Sequence, residues 1–352
     1  MTNASTEDKS TTNPDVSNNQ EDVNVDEEND TETIQKNNMR DLNKQLNEFY
    51  RIIAPTGVEM EYRAYVMNHI KKSIESTIPN TRVVTFGSYR TKLVIRSSDI
   101  DLGVLLLDPQ MEQEDPNNYL FKIKNILLNH KIVDKKSVFH IWSSRVPIIK
   151  FQDKYFGFKI DISMNQSSGV RAAVFMNNVM KVYPKIRKVA IILKYFLTQK
   201  KLSDASTGGL NSYSQFLLIL NFFVQKIDNS DKRGLDDTAK FFLDFFKFYG
   251  WEFTSSISEE DPCPNVRIYT RYDSSISIED PTDPTCNVAL ACRKYPQIKK
   301  LFRKIFILIN VAIGKKSHSR DILSLWLDPD FIEDIYMQKN ILLYSKALKL
   351  LE

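Results

Sequence analysis

The sequence is poor in the residues that staple or anchor a chain. Only three of its 352 residues are cysteine, Cys263, Cys286 and Cys292. Three thiols cannot all pair within one chain, and their spacing lacks the C-x2-C pairs of a zinc module, so a reducing compartment is expected. The four histidines, His69, His130, His140 and His318, are too scattered to suggest a metal site by spacing. No apolar run approaches the roughly 20 residues of a membrane-spanning helix. The longest, Phe216–Val224, is interrupted by Asn221 and reads as a buried helix. The N-terminus lacks an apolar leader segment, so secretion is not expected, and no RRM, KH or zinc-knuckle pattern occurs. Aromatics are absent from residues 1–40, which are mostly Asn, Thr, Ser, Asp and Glu. Such a stretch buries too little surface to offset chain entropy and is expected to be a disordered acidic tail.

What remains is ample for a core. Hydrophobic residues make up 42% of the chain, and the length allows two domains or one large one. The formal charge of +4 conceals a division: residues 1–40 hold 10 acidic and 3 basic side chains, and the other 312 residues hold 34 acidic and 45 basic. A basic body behind an acidic head invites a polyanionic partner. Lys181, Lys185, Arg187 and Lys188, and again Arg293, Lys294, Lys299, Lys300, Arg303 and Lys304, form runs able to follow a phosphate backbone.

Periodicity predicts an α+β architecture. Leu42, Leu46, Phe49, Ile52 and Ile53 form a helical stripe, Pro55-Thr56-Gly57 breaks it, and Tyr62, Val66, Ile70 and Ile74 resume it. Short Val-, Ile- and Phe-rich segments then alternate between Thr81 and Ser163, with one helix near Tyr119–Leu128. After Gly169 the pattern is helical nearly to the end. The expected domains are therefore a tail, 1–40, a helical domain, 41–77 with 166–352, and a sheet domain with a mixed sheet, 78–165, inserted into it.

The chemistry is concentrated in the inserted unit. Phe86-Gly87-Ser88 is followed, ten residues on, by Asp99-Ile100-Asp101-Leu102 at the start of an apolar strand. Alternation puts Asp99 and Asp101 on one face of that strand, with Ile100 and Leu102 in the core. Asp161, in Lys159-Ile160-Asp161-Ile162-Ser163, repeats the pattern on a second strand. Three clustered carboxylates repel one another, and a hard divalent cation such as Mg²⁺, shared with substrate phosphates, relieves the repulsion. Gly87 allows close backbone approach to a phosphate, and Ser88 adds a hydroxyl and an N–H.

The Gly87-Ser88, Asp99-x-Asp101 and Asp161 pattern resembles the nucleotidyltransferase superfamily of DNA polymerase beta. Residues 158–225 and the segment Ile278–Val288, IEDPTDPTCNV, resemble the noncanonical poly(A) polymerases of the nuclear TRAMP complex. The resemblance implies a polymerase-beta-like domain that transfers AMP from ATP to RNA 3′ ends with Mg²⁺ or Mn²⁺. Asp99, Asp101 and Asp161 would be the catalytic metal ligands, and Gly87 and Ser88 would cradle the triphosphate. Asn165 and Gly169 would lie near the ribose, Lys194 and Ser212 would meet the triphosphate, and Tyr213 would stack on the base. Glu279, Asp280 and Asn287 would belong to a nucleotide-recognition loop, in which Leu290 replaces the family's usual arginine and Cys286 stands where uridylyl-adding relatives carry histidine. A zinc-knuckle RNA-binding protein, a helicase and a nuclear location in RNA surveillance also follow from the resemblance. A terminal uridylyltransferase and a catalytically silent RNA- or partner-binding scaffold are the competing readings.

Overall fold

A computed structural model of the chain describes residues 21–142, 146–165, 167–226, 237–253, 266–270, 275–315 and 322–328. Two helices open it, α1 (Glu21–Ile53) and α2 (Gly57–Glu75). Thr56 stops the first and starts the second: its Oγ1 accepts the Glu59 N–H at 3.2 Å, capping α2. The alternating segment follows as β1 (Thr81–Thr85), a single turn α3 (Gly87–Thr91), β2 (Ile100–Leu106), α4 (Pro116–Asn129), β3 (Phe139–Ile141), β4 (Ile148–Gln152) and β5 (Lys159–Met164). Pro116 opens α4, and the Asp115 carboxylate caps it by accepting the Asn117 N–H at 2.9 Å. The rest comprises α5 (Ser167–Val182), α6 (Ile186–Gln199), α7 (Ser212–Lys226), α8 (Thr238–Lys247), three short strands, β6 (Ile268–Thr270), β7 (Ile276–Asp280) and β8 (Asp283–Asn287), and α9 (Tyr295–Ile313).

The five-stranded sheet has the order β1-β2-β5-β4-β3 and is mixed: β2 and β5 run parallel, and every other pairing is antiparallel. Ile100, Leu102, Val104, Ile149, Phe151, Ile160 and Ile162 project from one face into a core shared with α4. The fold is thus α+β, as the periodicity predicts. A second and larger core unites α1 with α6–α9, with Phe196, Phe242, Phe245, Phe246, Phe302 and Trp326 packed mostly edge to face or tilted.

Three expectations need correction. Residues 21–40 belong to α1 instead of a disordered tail, while residues 1–20 lie outside the described part. The Leu42 and Leu46 stripe nucleates the helix, and Asn38 fixes it by donating from Nδ2 to the Ile313 carbonyl at 2.7 Å. Helix α2 packs with the sheet and not with the helical core, because Val66, Ile70 and Ile74 lie against its apolar face. Finally, the region after Gly169 holds the three-stranded sheet β6-β7-β8. Ile276 and Ile278 are buried on alternate positions there, in strands too short to outweigh the surrounding helical periodicity.

Phe246, fully buried among Phe196, Phe242, Phe245, Phe302 and Trp326, provides a direct check on the second core. Phe246→Ala is expected to destabilise the chain by about 3–5 kcal/mol, measured by urea unfolding.

Candidate active site

The site lies on the face of the five-stranded sheet opposite the α4 core. Parallel register sets Asp101 beside Asp161, and Asp99 stands just before β2 begins. Lys150 is opposite Asp161 on β4, and its Nζ makes an ion pair with Asp161 Oδ2. Gly87, at φ 59°, carries the chain over the same spot: a Cβ added there would fall 2.0 Å from Asp101 Oδ2. Both the left-handed backbone and the adjacent carboxylate therefore require glycine. Behind it, Phe86 fills the space between Gly103 and Gly169, where an added Cβ at Gly169 would meet its ring at 2.9 Å. Gly169 thus seats α5 close to the sheet.

Burial, followed by the nearby Asp161 and Asp99 carboxylates, pushes the Asp101 carboxyl up to about 7. Burial also raises Asp161 against the pull of Lys150. From α6, Lys194 reaches the same neighbourhood and donates from Nζ to the Leu93 carbonyl at 3.2 Å and Ser98 Oγ at 2.8 Å. Burial lowers its ammonium to about 8, partly opposed by Asp101 and Asp99.

A buried arginine escaped the sequence reading. Arg63 on α2 is 0% exposed. It donates to the Ser98 carbonyl at 2.8 Å and to the Arg96 carbonyl at 2.9 Å, lies 3.6 Å from Glu59, and covers the Phe158 ring. These bonds fix the loop immediately before Asp99. Arg63 and Lys150 are over 30 and 10 residues from the carboxylates they serve, so only the tertiary pairing reveals them.

The other expected residues divide. Asn165, at φ 50°, accepts the Leu106 N–H at 3.1 Å through Oδ1, extending the end of β2. Ser212 is the first residue of α7, whose cap is Asn211, accepting the Ser214 N–H at 2.9 Å. The Tyr213 hydroxyl donates to Asp280 Oδ1 at 2.9 Å, which raises the phenol above its ordinary range after burial has done most of the work. Asp280 also accepts from Thr282, so its carboxylate holds the β7–β8 turn. Asn287 Oδ1 accepts the Ile278 and Ala289 N–H groups at 3.0 Å each and shapes the end of β8. Glu279, on β7, is in register with Asn287. The structure therefore joins Tyr213, Glu279, Asp280 and Asn287 in one cluster and Gly87, Asp99, Asp101, Asp161 and Lys194 in another. Asp283, at the tip of the β7–β8 hairpin, faces Arg171 on α5. Leu290 is 67% exposed.

The chain matches the family model of the central palm domain of mitochondrial-like poly(A) RNA polymerases over residues 42–183. It is 27% identical to poly(A) RNA polymerase protein 1 of Saccharomyces cerevisiae over 281 residues, 76% of this chain and 43% of the relative. The chain is similar to the noncanonical poly(A) RNA polymerases. The polymerase core of TRAMP, an RNA surveillance complex, superposes with a TM-score of 0.64 at 23% identity, covering 78% of this chain and 89% of that one. A cytoplasmic RNA terminal U-transferase gives the same TM-score at 18% identity, with 82% and 99% covered. Both likenesses are of fold. The chain spans less than half the length of its fungal relatives.

This similarity makes a divalent metal the group to test against these residues. Among the described residues no three acids form a ready-made cage, and Lys150 takes one oxygen of Asp161. The donor set nevertheless fits a hard cation. All three donors are carboxylates, and burial with the neighbouring Asp161 and Asp99 drives Asp101 toward its neutral form despite Lys194 and Lys150. The folded state holds this proton more tightly than the unfolded chain, whose carboxyl titrates near 3.8. The proton's contribution to stability is therefore complete below about pH 4 and is lost as pH rises through about 7. Asp101→Asn is expected to raise the metal-free thermal midpoint at pH 8 by about 5 °C and to change it little at pH 4; a thermal melt at the two pH values checks this.

Proposed function

We propose that the chain is a template-independent RNA 3′-terminal adenylyltransferase, a poly(A) polymerase that uses ATP with Mg²⁺ or Mn²⁺. One observation carries the reading: parallel register sets Asp101 against Asp161 on a buried face that Gly87 leaves open. Stability does not explain such a grouping, because clustered like charges on buried ground are unfavourable even with Lys150 paired to Asp161. The base choice is supported by the names of the curated relatives, poly(A) RNA polymerases from several fungi.

Each residue then has a task. Asp99, Asp101 and Asp161 would hold the metal ions, which supply positive charge to the α-phosphate, the attacking 3′-oxygen and the departing pyrophosphate. Asp161 orients the 3′-hydroxyl, whose oxygen bonds to the α-phosphorus as the bond to the β-phosphate breaks and the hydroxyl proton passes to solvent. The Gly87 and Ser88 backbone lies along the triphosphate, and Lys194 and Ser212 balance its charge. Asn165 and Gly169 border the ribose. Tyr213, held by Asp280, offers its ring face to the base, and Glu279 and Asn287 set the loop beside it. Arg63 keeps the approach to Asp99 in place. In this reading residues 78–165 form the catalytic domain and the helical remainder recognises the nucleotide, with α2 bound to the catalytic side. By likeness to the TRAMP core, the protein would act in nuclear RNA surveillance beside a zinc-knuckle RNA-binding protein and a helicase.

The test is extension of a labelled RNA with each of the four nucleotides. ATP incorporation is expected to predominate, and Asp101→Ala or Asp161→Ala to lower it at least about 100-fold. Predominant UTP incorporation would favour a uridylyltransferase, and RNA binding without incorporation under any metal would favour a silent scaffold.

A further inference from the structure

The short edge strand β3 is built inside out. In a half-buried strand the apolar residues face the core and the polar ones face water. Here His140 is the residue that pairs with buried Ile149 and turns to the α4 side, where burial and then Lys124 lower its imidazole. Phe139 and Ile141 take the opposite face and are 65% and 36% exposed.

That opposite face is the one that carries the carboxylates. Register runs in one row across four strands: Phe139 opposite Lys150, Lys150 opposite Asp161, Asp161 beside Asp101. The exposed apolar shelf is therefore continuous with the candidate active site and separated from Asp161 only by a cation. Lys135 and Lys136, both exposed, lie in the turn that ends two residues before the strand. Gly87 and Lys194, the residues assigned to the triphosphate, are nearest Asp101 and Asp99, so β4 and β3 lie on the other side of Asp161. An aromatic face flanked by lysines on a sheet suits single-stranded RNA, because bases stack on the ring and phosphates meet the ammonium groups.

We propose that Phe139, with Ile141 beside it, is a stacking shelf for the bases just behind the 3′ end of the RNA. The inference rests on the reading of the site as an RNA 3′-end transferase and adds where the primer strand lies. Two strand spacings separate Phe139 from Asp161, about 10 Å, or about three stacked-base steps of roughly 3.4 Å. A dinucleotide primer is too short to reach the shelf, and a primer of four or more nucleotides reaches it.

The experiment uses the full chain, a fluorescein-labelled 15-nucleotide oligo(A) and the dinucleotide ApA. In EDTA without ATP, anisotropy should show that Phe139→Ala weakens 15-mer binding about tenfold, while Phe139→Trp stays within about twofold of the parent. In extension assays Phe139→Ala should raise KM for the 15-mer by a similar factor, leave KM for ATP unchanged and leave ApA extension unchanged. Its thermal midpoint should match the parent's, since the ring is exposed. Unchanged 15-mer binding would assign this exposed apolar face to a protein partner and overturn the proposal. An equal loss with ApA, or a lowered thermal midpoint, would show a packing role and overturn it as well. If the parent incorporates no nucleotide, the transferase reading fails, and the binding measurement still decides the shelf.

Discussion

The repulsion among three carboxylates, two on a rigid sheet and one just before its strand β2, is the constraint around which the rest of the site is arranged. The parallel pairing of β2 and β5 fixes Asp101 against Asp161, and no rotation of a loop can separate them. The surroundings respond with cations at different depths: Lys150 bonded to Asp161 and Lys194 buried near Asp101 and Asp99. Asp101 is still left with a carboxyl raised to about 7. Fixed protein cations thus relieve the cluster only in part, and in the proposed reading the remaining demand is met by charge that arrives with the substrate and its metal.

Two cores serve this site in different ways. The sheet core holds the carboxylates at a set register, and Arg63, although it lies on a helix, locks the approach to Asp99 through carbonyls at Arg96 and Ser98. The helical core carries Lys194 on α6 and Tyr213 on α7, with the β7–β8 turn held to Tyr213 by Asp280. Gly87 and Gly169 are the points where the backbone comes nearest to the site, and a side chain at either would collide with Asp101 or Phe86.

Much of this was legible in the sequence because it is local. Alternation around Asp99, Asp101 and Asp161 specifies which side of a strand each takes, and Gly87-Ser88 marks its own turn. Features that depend on pairing between distant strands were not legible. Lys150 and Phe139 acquire meaning only through the β5-β4-β3 register, and Arg63 looks like any helical arginine until its bonds to the loop before Asp99 are seen. Asp280 and Asn287 are expected in a nucleotide-recognition loop, and only the structure shows that Oδ1 of each also shapes that loop. The sheet β6-β7-β8 was hidden by strands of only three to five residues.

The central claim is that the carboxylate cluster is completed by a divalent cation, and calorimetric titration of Mg²⁺ into the metal-free chain at pH 8 tests it most directly. The account predicts saturable binding to the parent that is lost in Asp101→Asn and in Asp161→Asn. Absence of binding to the parent, or equal binding to the two variants, would contradict it.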